Sequence, residues 1–250
     1  MTKSEPSALK TLGILGGMSP ESTADYYGRI NTGVRTALGG HHSAPMQIFS
    51  ANLADVFRWT DSGDYDALGD YLEQAALGLQ AADAGAVIMA CNTAHVVASR
   101  IEDALSIPFH HIADVLGEAL QRDGISRIAL LGSRITMGGA FYRGRLQDGY
   151  GIETMTPDAS GRDFVHRVIV EELCFHEIRD ESRETLAGIT ESLALQGAEA
   201  VVLGCTELCL LVDGERFGGL PVYDTTALHV DRAVDVVLGR GEGELQQVAA

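Results

Sequence analysis

Two cysteines stand in matching settings, Met89-Ala90-Cys91-Asn92-Thr93 and Leu203-Gly204-Cys205-Thr206-Glu207. Each follows a short apolar run of β type and precedes polar residues suited to the first turn of a helix. A thiol at a helix N-terminus is expected to titrate below its ordinary pKa of about 8.5, because free N–H groups and the helix dipole favour the thiolate. Two such groups on opposite sides of a small ligand could take a proton from one face of a carbon and return one to the other. Packing in a core is the ordinary fate of a lone cysteine; two in corresponding positions argue for catalysis. Cys174 and Cys209 have no such counterparts and read as inert, packed thiols.

The match belongs to a longer repeat. Gly16, after the run Leu12 to Leu15, answers to Gly132 after Ile128 to Leu131, and Pro108 answers to Pro221, all at nearly constant offset. Apolar β-type runs alternate with helical patterns, which reads as α/β with mainly parallel sheets. The expected strands are Thr11 to Leu15, Met46 to Ser50, Ala86 to Ala90, Phe109 to Ile112, Arg127 to Leu131, Ile152 to Met155, Ala200 to Leu203 and Val222 to Tyr223. Helices are expected over Pro20 to Leu38, Asp64 to Ala84, Thr93 to Ala104, Ala113 to Arg122, Gly138 to Gln147, Gly161 to Cys174, Ser182 to Gln196 and Ala227 to Leu238. The repeat implies two lobes: residues 1–112, completed by a last strand and helix in 219–250, and residues 113–218. Ligands of open α/β sheets sit at the carboxyl ends of strands, where both cysteines fall.

The segment from Gly13 to Ser22 joins a strand to a helix but lacks the G-x-G-x-x-G of a dinucleotide fold and the Gly-Lys-Ser/Thr of a P-loop. It reads either as a tight turn whose N–H groups meet an anion such as a carboxylate, or as a purely structural turn. No G-x-S-x-G elbow occurs. The histidines are scattered and C-x-x-C pairs are missing, so no metal is expected. His95, one helical turn after Cys91, could orient a site group or serve only the core.

Composition narrows the classes. A formal net charge of −17 over 250 residues opposes nucleic-acid binding, which needs a basic surface. No apolar run approaches the roughly 18 to 20 residues of a membrane span, and the first residues lack a secretion signal. Four cysteines without staple-like spacing fit reduced thiols in the cytoplasm. The only lysines are Lys3 and Lys10, ahead of the first strand, so the body of the fold offers no amine for a pyridoxal-phosphate Schiff base and no cofactor is expected.

Gly16-Gly17-Met18-Ser19-Pro20-Glu21-Ser22-Thr23, Ala90-Cys91-Asn92-Thr93-Ala94-His95 and Gly204-Cys205-Thr206-Glu207 closely resemble the aspartate/glutamate racemase family, over nearly the whole chain from Thr11 to Leu238. Leu38 to Ala44 and Phe141 to Leu146 make it most similar to the broad-specificity bacterial amino-acid racemases. The resemblance implies two pseudo-symmetric Rossmann-like lobes, the active site in the cleft between them, and a homodimer. It implies that Cys91 and Cys205 are the acid/base pair. It further implies that the Met18, Ser19 and Ser22 turn, Asn52, and the Asn92, Thr93 and Ala94 stretch hold an amino-acid substrate together with Thr206 and Glu207. Glutamate racemases of the cell-wall type carry histidine where Glu207 stands, which points away from that subfamily. Aspartate-specific relatives grip the side-chain carboxylate with arginine and lysine; here arginine, backbone N–H groups or neutral donors must serve, with Arg58 the nearest candidate, which favours a broader polar substrate set. A non-catalytic two-lobed carboxylate-binding protein explains the repeat and the turns but not two matched thiols. A hydantoin racemase would use both thiols, and a decarboxylase only one.

Overall fold

The computed structural model describes residues 8–212 and 214–240; of the two lysines, Lys3 lies outside the described residues. The first half of the chain runs β1 (Leu12–Gly16), α1 (Pro20–Leu38), β2 (Met46–Ser50), α2 (Leu53–Ser62), α3 (Tyr65–Ala81), β3 (Ala86–Met89), α4 (Ala98–Ala104) and β4 (Phe109–His110). The second runs α5 (Ile112–Arg122), β5 (Arg127–Gly132), α6 (Arg134–Gly138), α7 (Ala140–Tyr150), β6 (Glu153–Met155), α8 (Ala159–Glu171), α9 (Asp180–Leu195), β7 (Ala200–Gly204), β8 (Arg216–Phe217), β9 (Leu220–Asp224) and α10 (Thr225–Leu238). This is the expected α/β class. No helix among the described residues is long and apolar enough to cross a membrane.

The strands form two sheets, β2-β1-β3-β4 and β6-β5-β7-β9-β8. Apart from β8, the second repeats the order of the first, with β5, β6, β7 and β9 in the places of β1, β2, β3 and β4. All pairings are parallel except β8 with β9. β3 and β7 thus occupy the same place in their sheets, and each runs directly into a cysteine-bearing turn.

The chain divides into two units. Among the described residues, one holds 8–90, Ser99–His110 and 230–240; the other holds Cys91–Ala98 and His111–His229. In the first, Leu12, Ile14 and Ile88 of the sheet pack with Tyr26, Ile30 and Val34 of α1 and with Val230, Ala233, Val234 and Val237 of α10. In the second, alternate residues of β5 and β7 enter different cores. Ile128, Leu130, Ala200 and Val202 join α5 and α7, while Ala129, Leu131, Val201 and Leu203 join α8 and α9. Burial on both faces is why these strands read as unbroken apolar runs.

Several expectations need correction. The last strand, grouped with the first lobe from sequence, pairs with β7 instead through Val201↔Val222 and Val202↔Tyr223; only the later part of α10 joins the first core. The strand expected over Phe109 to Ile112 ends at His110 because His111 caps α5, its Nδ1 accepting the Ala113 N–H at 3.1 Å. The helix expected from Thr93 begins as a 3₁₀ turn, Thr93–Val97. Helix α2 leaves little apolar pattern in the sequence because it buries only Val56. The β8–β9 hairpin was also missed, although Gly218 and Gly219, with φ of +51° and +80°, are the glycine pair that a two-residue hairpin turn favours.

Candidate active site

In the first unit, the turn after β1 is built on glycine for steric reasons. Gly17 has φ +81°, and a Cβ there would lie 2.3 Å from the backbone N and O of Ala51. A Cβ on Gly16 would strike Thr23, whose Oγ1 accepts the Gly17 N–H at 2.7 Å. Ser19 caps α1, its Oγ accepting the Ser22 N–H at 3.1 Å, and Pro20 starts the helix where no N–H is needed. Met18, Ser19 and Ser22 are all buried, and the Ser22 hydroxyl has no hydrogen-bond partner among the described residues. Asn52 caps α2 through the Ala54 N–H at 3.4 Å. Arg58 lies on the exposed side of α2, paired with Asp55 at 2.9 Å and set over the Trp59 ring.

Cys91 and Cys205 both belong to the second unit. Each opens a 3₁₀ turn, Thr93–Val97 in one case and Thr206–Leu210 in the other, and neither is in a disulfide. Cys174 and Cys209, also outside any disulfide, pack partly buried against the core of α8 and α9.

The backbone of Cys91 is held by His95, whose Nδ1 lies 2.8 Å from the Cys91 carbonyl oxygen. His95 Nε2 accepts the Ile112 N–H at 3.3 Å, so the ring proton must sit on Nδ1 and donate to Cys91. The ring is buried and packs edge-on to His111, with centroids 4.4 Å apart. Burial, reinforced by His229, pushes its pKa down to about 3, so His95 is a neutral strut. Ala94 is fully buried.

Around the Cys205 turn, one oxygen of Glu207 receives two protons. The Cys205 Sγ–H donates to Oε2 at 2.9 Å and the Thr206 hydroxyl donates to the same atom at 2.6 Å. Cys205 is therefore a thiol in this state. Burial raises its pKa well above the ordinary value, and the Glu207 charge and hydrogen bond add to that. Cys91 is pushed up to about 11, again chiefly by burial, although the N–H groups of Ala94 and Thr93 pull the other way. The lowered pKa expected from sequence is thus overturned. The amides favour the thiolate, but a 3₁₀ turn of five residues supplies little dipole, and loss of hydration outweighs it.

A cluster of three hydroxyls was not foreseen. Thr93 Oγ1 lies 2.8 Å from Ser133 Oγ and 3.3 Å from Thr136 Oγ1, and the last two are 3.1 Å apart. Ser133 follows the end of β5, caps α6, and accepts the Thr136 N–H at 3.1 Å. Because Gly132 and Gly204 are partners across β5 and β7, Ser133 and Cys205 leave the sheet side by side. Ser133 is also the repeat counterpart of Gly17, the signal by which it could have been found.

The model of the Asp/Glu/hydantoin racemase family matches residues 15–233. The chain belongs to that family. It stands accordingly among the amino-acid racemases that work without pyridoxal phosphate. The broad-specificity amino-acid racemase RacX of Bacillus subtilis is 23% identical over 233 residues, covering 91% of this chain and 98% of that protein. A Yersinia pestis protein assigned to the Asp/Glu racemases is 41% identical, with a TM-score of 0.87 over 92% of this chain and 100% of the other. An aspartate racemase homologue from Pyrococcus horikoshii OT3 is 28% identical, with a TM-score of 0.79 over 92% of this chain and 99% of the other.

The Cys205–Glu207 pair of this racemase gives a first testable consequence. Glu207→Gln removes a negative charge and a strong acceptor, both of which favour the protonated thiol. The Cys205 titration should move down, and iodoacetamide should label Cys205 about threefold faster at pH 8 for each pKa unit of that shift, the gain in thiolate being partly offset by its lower nucleophilicity. Peptide mass spectrometry of the labelled protein separates Cys205 from the other thiols. Labelling at an unchanged or slower rate would show that the carboxylate does not hold the proton on sulfur.

Proposed function

We propose that this protein interconverts L- and D-amino acids by proton transfer at Cα, with Cys91 and Cys205 as the two acid/base groups. The observation that carries the reading is the equivalence of the thiols: each lies within two residues of the end of the same strand of a repeated sheet order, with hydroxyl donors beside it. In one direction the Cα–H bond breaks as an S–H bond forms on the thiolate. The other S–H then breaks as its proton adds to the opposite face of Cα. The cycle ends with thiol and thiolate exchanged.

Both sulfurs are protonated in the resting state, so substrate must help to ionise one of them. An α-ammonium close to a thiol favours the thiolate by charge, and the displaced proton leaves to solvent. As the Cα proton departs, charge builds on the α-carboxylate. Hydroxyls of Thr93 and Ser133 would hold that developing dianion more strongly than the ground state. The Met18, Ser19 and Ser22 turn and Asn52 are proposed as further substrate contacts, alongside Asn92, Ala94, Thr206 and Glu207.

The substrate set is proposed to be broad and polar, with aspartate and glutamate accepted but not sharply preferred. Supporting this, Arg58 is already paired with Asp55 on an exposed face, and the described lysine, Lys10, is exposed. The broad specificity of the B. subtilis relative points the same way. Action as a homodimer in the cytoplasm completes the proposal.

The test is to incubate the protein with aspartate, glutamate, homoserine, methionine, alanine and a 5-substituted hydantoin in heavy water. Cα deuteration with loss of optical rotation is expected for several of the amino acids. Neither change in any amino acid would sink the reading, and turnover of the hydantoin alone would move the chain to that branch of the family. A preference of a thousandfold or more for aspartate would overturn the broad substrate set and assign Arg58, or another arginine, to the side chain.

A further inference from the structure

Thr225, the first residue of α10, is completely buried and plays no part in the scheme above. Its hydroxyl oxygen lies 2.8 Å from the carbonyl oxygen of Leu203 and 3.1 Å from Nδ2 of Asn92. A carbonyl only accepts, so the Thr225 proton is committed to Leu203. The hydroxyl then offers Asn92 nothing but lone pairs, and the atom facing it must be the NH₂ group. The orientation of the Asn92 amide is therefore dictated by valence rather than chosen by fit. Its Oδ1 is buried without a hydrogen-bond partner among the described residues. A buried, unpaired acceptor beside Cys91 is a group waiting for a donor.

We infer that Thr225 is a positioning residue, locking the Asn92 amide with Oδ1 presented to the ammonium of the substrate. The inference rests on the racemase reading for the identity of that donor, but the lock itself does not. Without the hydroxyl, the amide is free to turn and present NH₂, which repels an ammonium. The same hydroxyl ties Asn92, next to Cys91, to Leu203, two residues before Cys205. Rotation of the amide is thus restrained from the opposite cysteine-bearing segment.

Thr225→Val keeps the shape and removes the hydroxyl, Thr225→Ser restores it, and both are compared with Asn92→Ala and with the Asn92→Ala/Thr225→Val pair. Thr225→Val is expected to lower kcat/KM by about tenfold or more, mainly through KM, as fits loss of one oriented hydrogen bond to a charged group. Thr225→Ser should recover to within about threefold, and Thr225→Val should add nothing once Asn92 is alanine. The second readout needs no activity. The side-chain NH₂ signals of Asn92 in ¹⁵N–¹H spectra, assigned by their loss in Asn92→Ala, should exchange slowly in the wild type and in Thr225→Ser, and rapidly in Thr225→Val.

Unchanged NH₂ signals in Thr225→Val, or a loss that multiplies on the Asn92→Ala background, would overturn the proposal. Should Thr225→Val fail to fold, rapidly exchanging NH₂ protons in the wild type would overturn it as well. A wild type that racemises nothing but shows the protected amide would retire the racemase reading while leaving the lock in place.

Discussion

Cys91→Ala and Cys205→Ala should each lose at least about 10³-fold in racemisation rate, since general acid–base groups contribute about 10²–10⁴ apiece and inversion needs both. The fold should survive. Both residues begin short turns, and alanine leaves the backbone hydrogen bonds in place, including that from His95 to the Cys91 carbonyl. A more discriminating result is expected in heavy water. Each variant keeps one thiol on one face, so it should wash deuterium into only one enantiomer, without inverting it. The two variants should act on opposite enantiomers. Near wild-type racemisation in either variant would disprove the two-base scheme. Exchange of the same enantiomer by both would show that the thiols do not address opposite faces.

The hydroxyl cluster carries the second large effect. Thr93→Val and Ser133→Ala should each reduce kcat by about 10²-fold, the usual loss on removing one donor to a developing oxyanion. The effect should fall on kcat rather than KM, because the carboxylate acquires its second charge only as the Cα proton leaves. Ser133→Ala also deletes the cap of α6, at about 1 kcal/mol, so a small drop in melting temperature should accompany it. Thr93→Val should spare the melting temperature. Steady-state kinetics alongside thermal melts separate the two contributions. A change of less than about threefold in kcat for both variants would remove the cluster from the mechanism.

What could be read from sequence was local. Helix α1 was delimited because Ser19-Pro20 begins it and Gly39, in a positive-φ conformation, ends it. β5 and β7 were plain because both their faces are buried. The cysteine pair and the order of the repeat could be found by comparing the chain with itself. What escaped depends on partners far along the chain. Thr93 and Ser133 are forty residues apart, and Ser133 sits in an unremarkable Gly-Ser-Arg-Ile-Thr stretch. The neutral state of His95 is set by burial and by His229 and Arg145, neither of them a sequence neighbour. The raised thiol pKa is hidden for the same reason: the adjacent amides are visible in the sequence, but the desolvation that overrides them is not.

The assignment of Cys91–Ala98 to the second unit and of the chain from Val230 to the first bears on how such a repeat can be recombined. A crossover at the midpoint of the sequence would not exchange intact modules. The amino-terminal product would carry the Cys91 turn without Ser133 beside Thr93 or Thr225 beside Asn92. The carboxyl-terminal product would carry Val230, Ala233, Val234 and Val237 without the Leu12, Ile14 and Ile30 that cover them. Chimaeras between relatives spliced at that point would therefore demand coordinated changes at four or more sites. Once the halves had traded these segments, divergence could proceed only on the chain as a whole, which binds the two cysteine turns into one heritable unit.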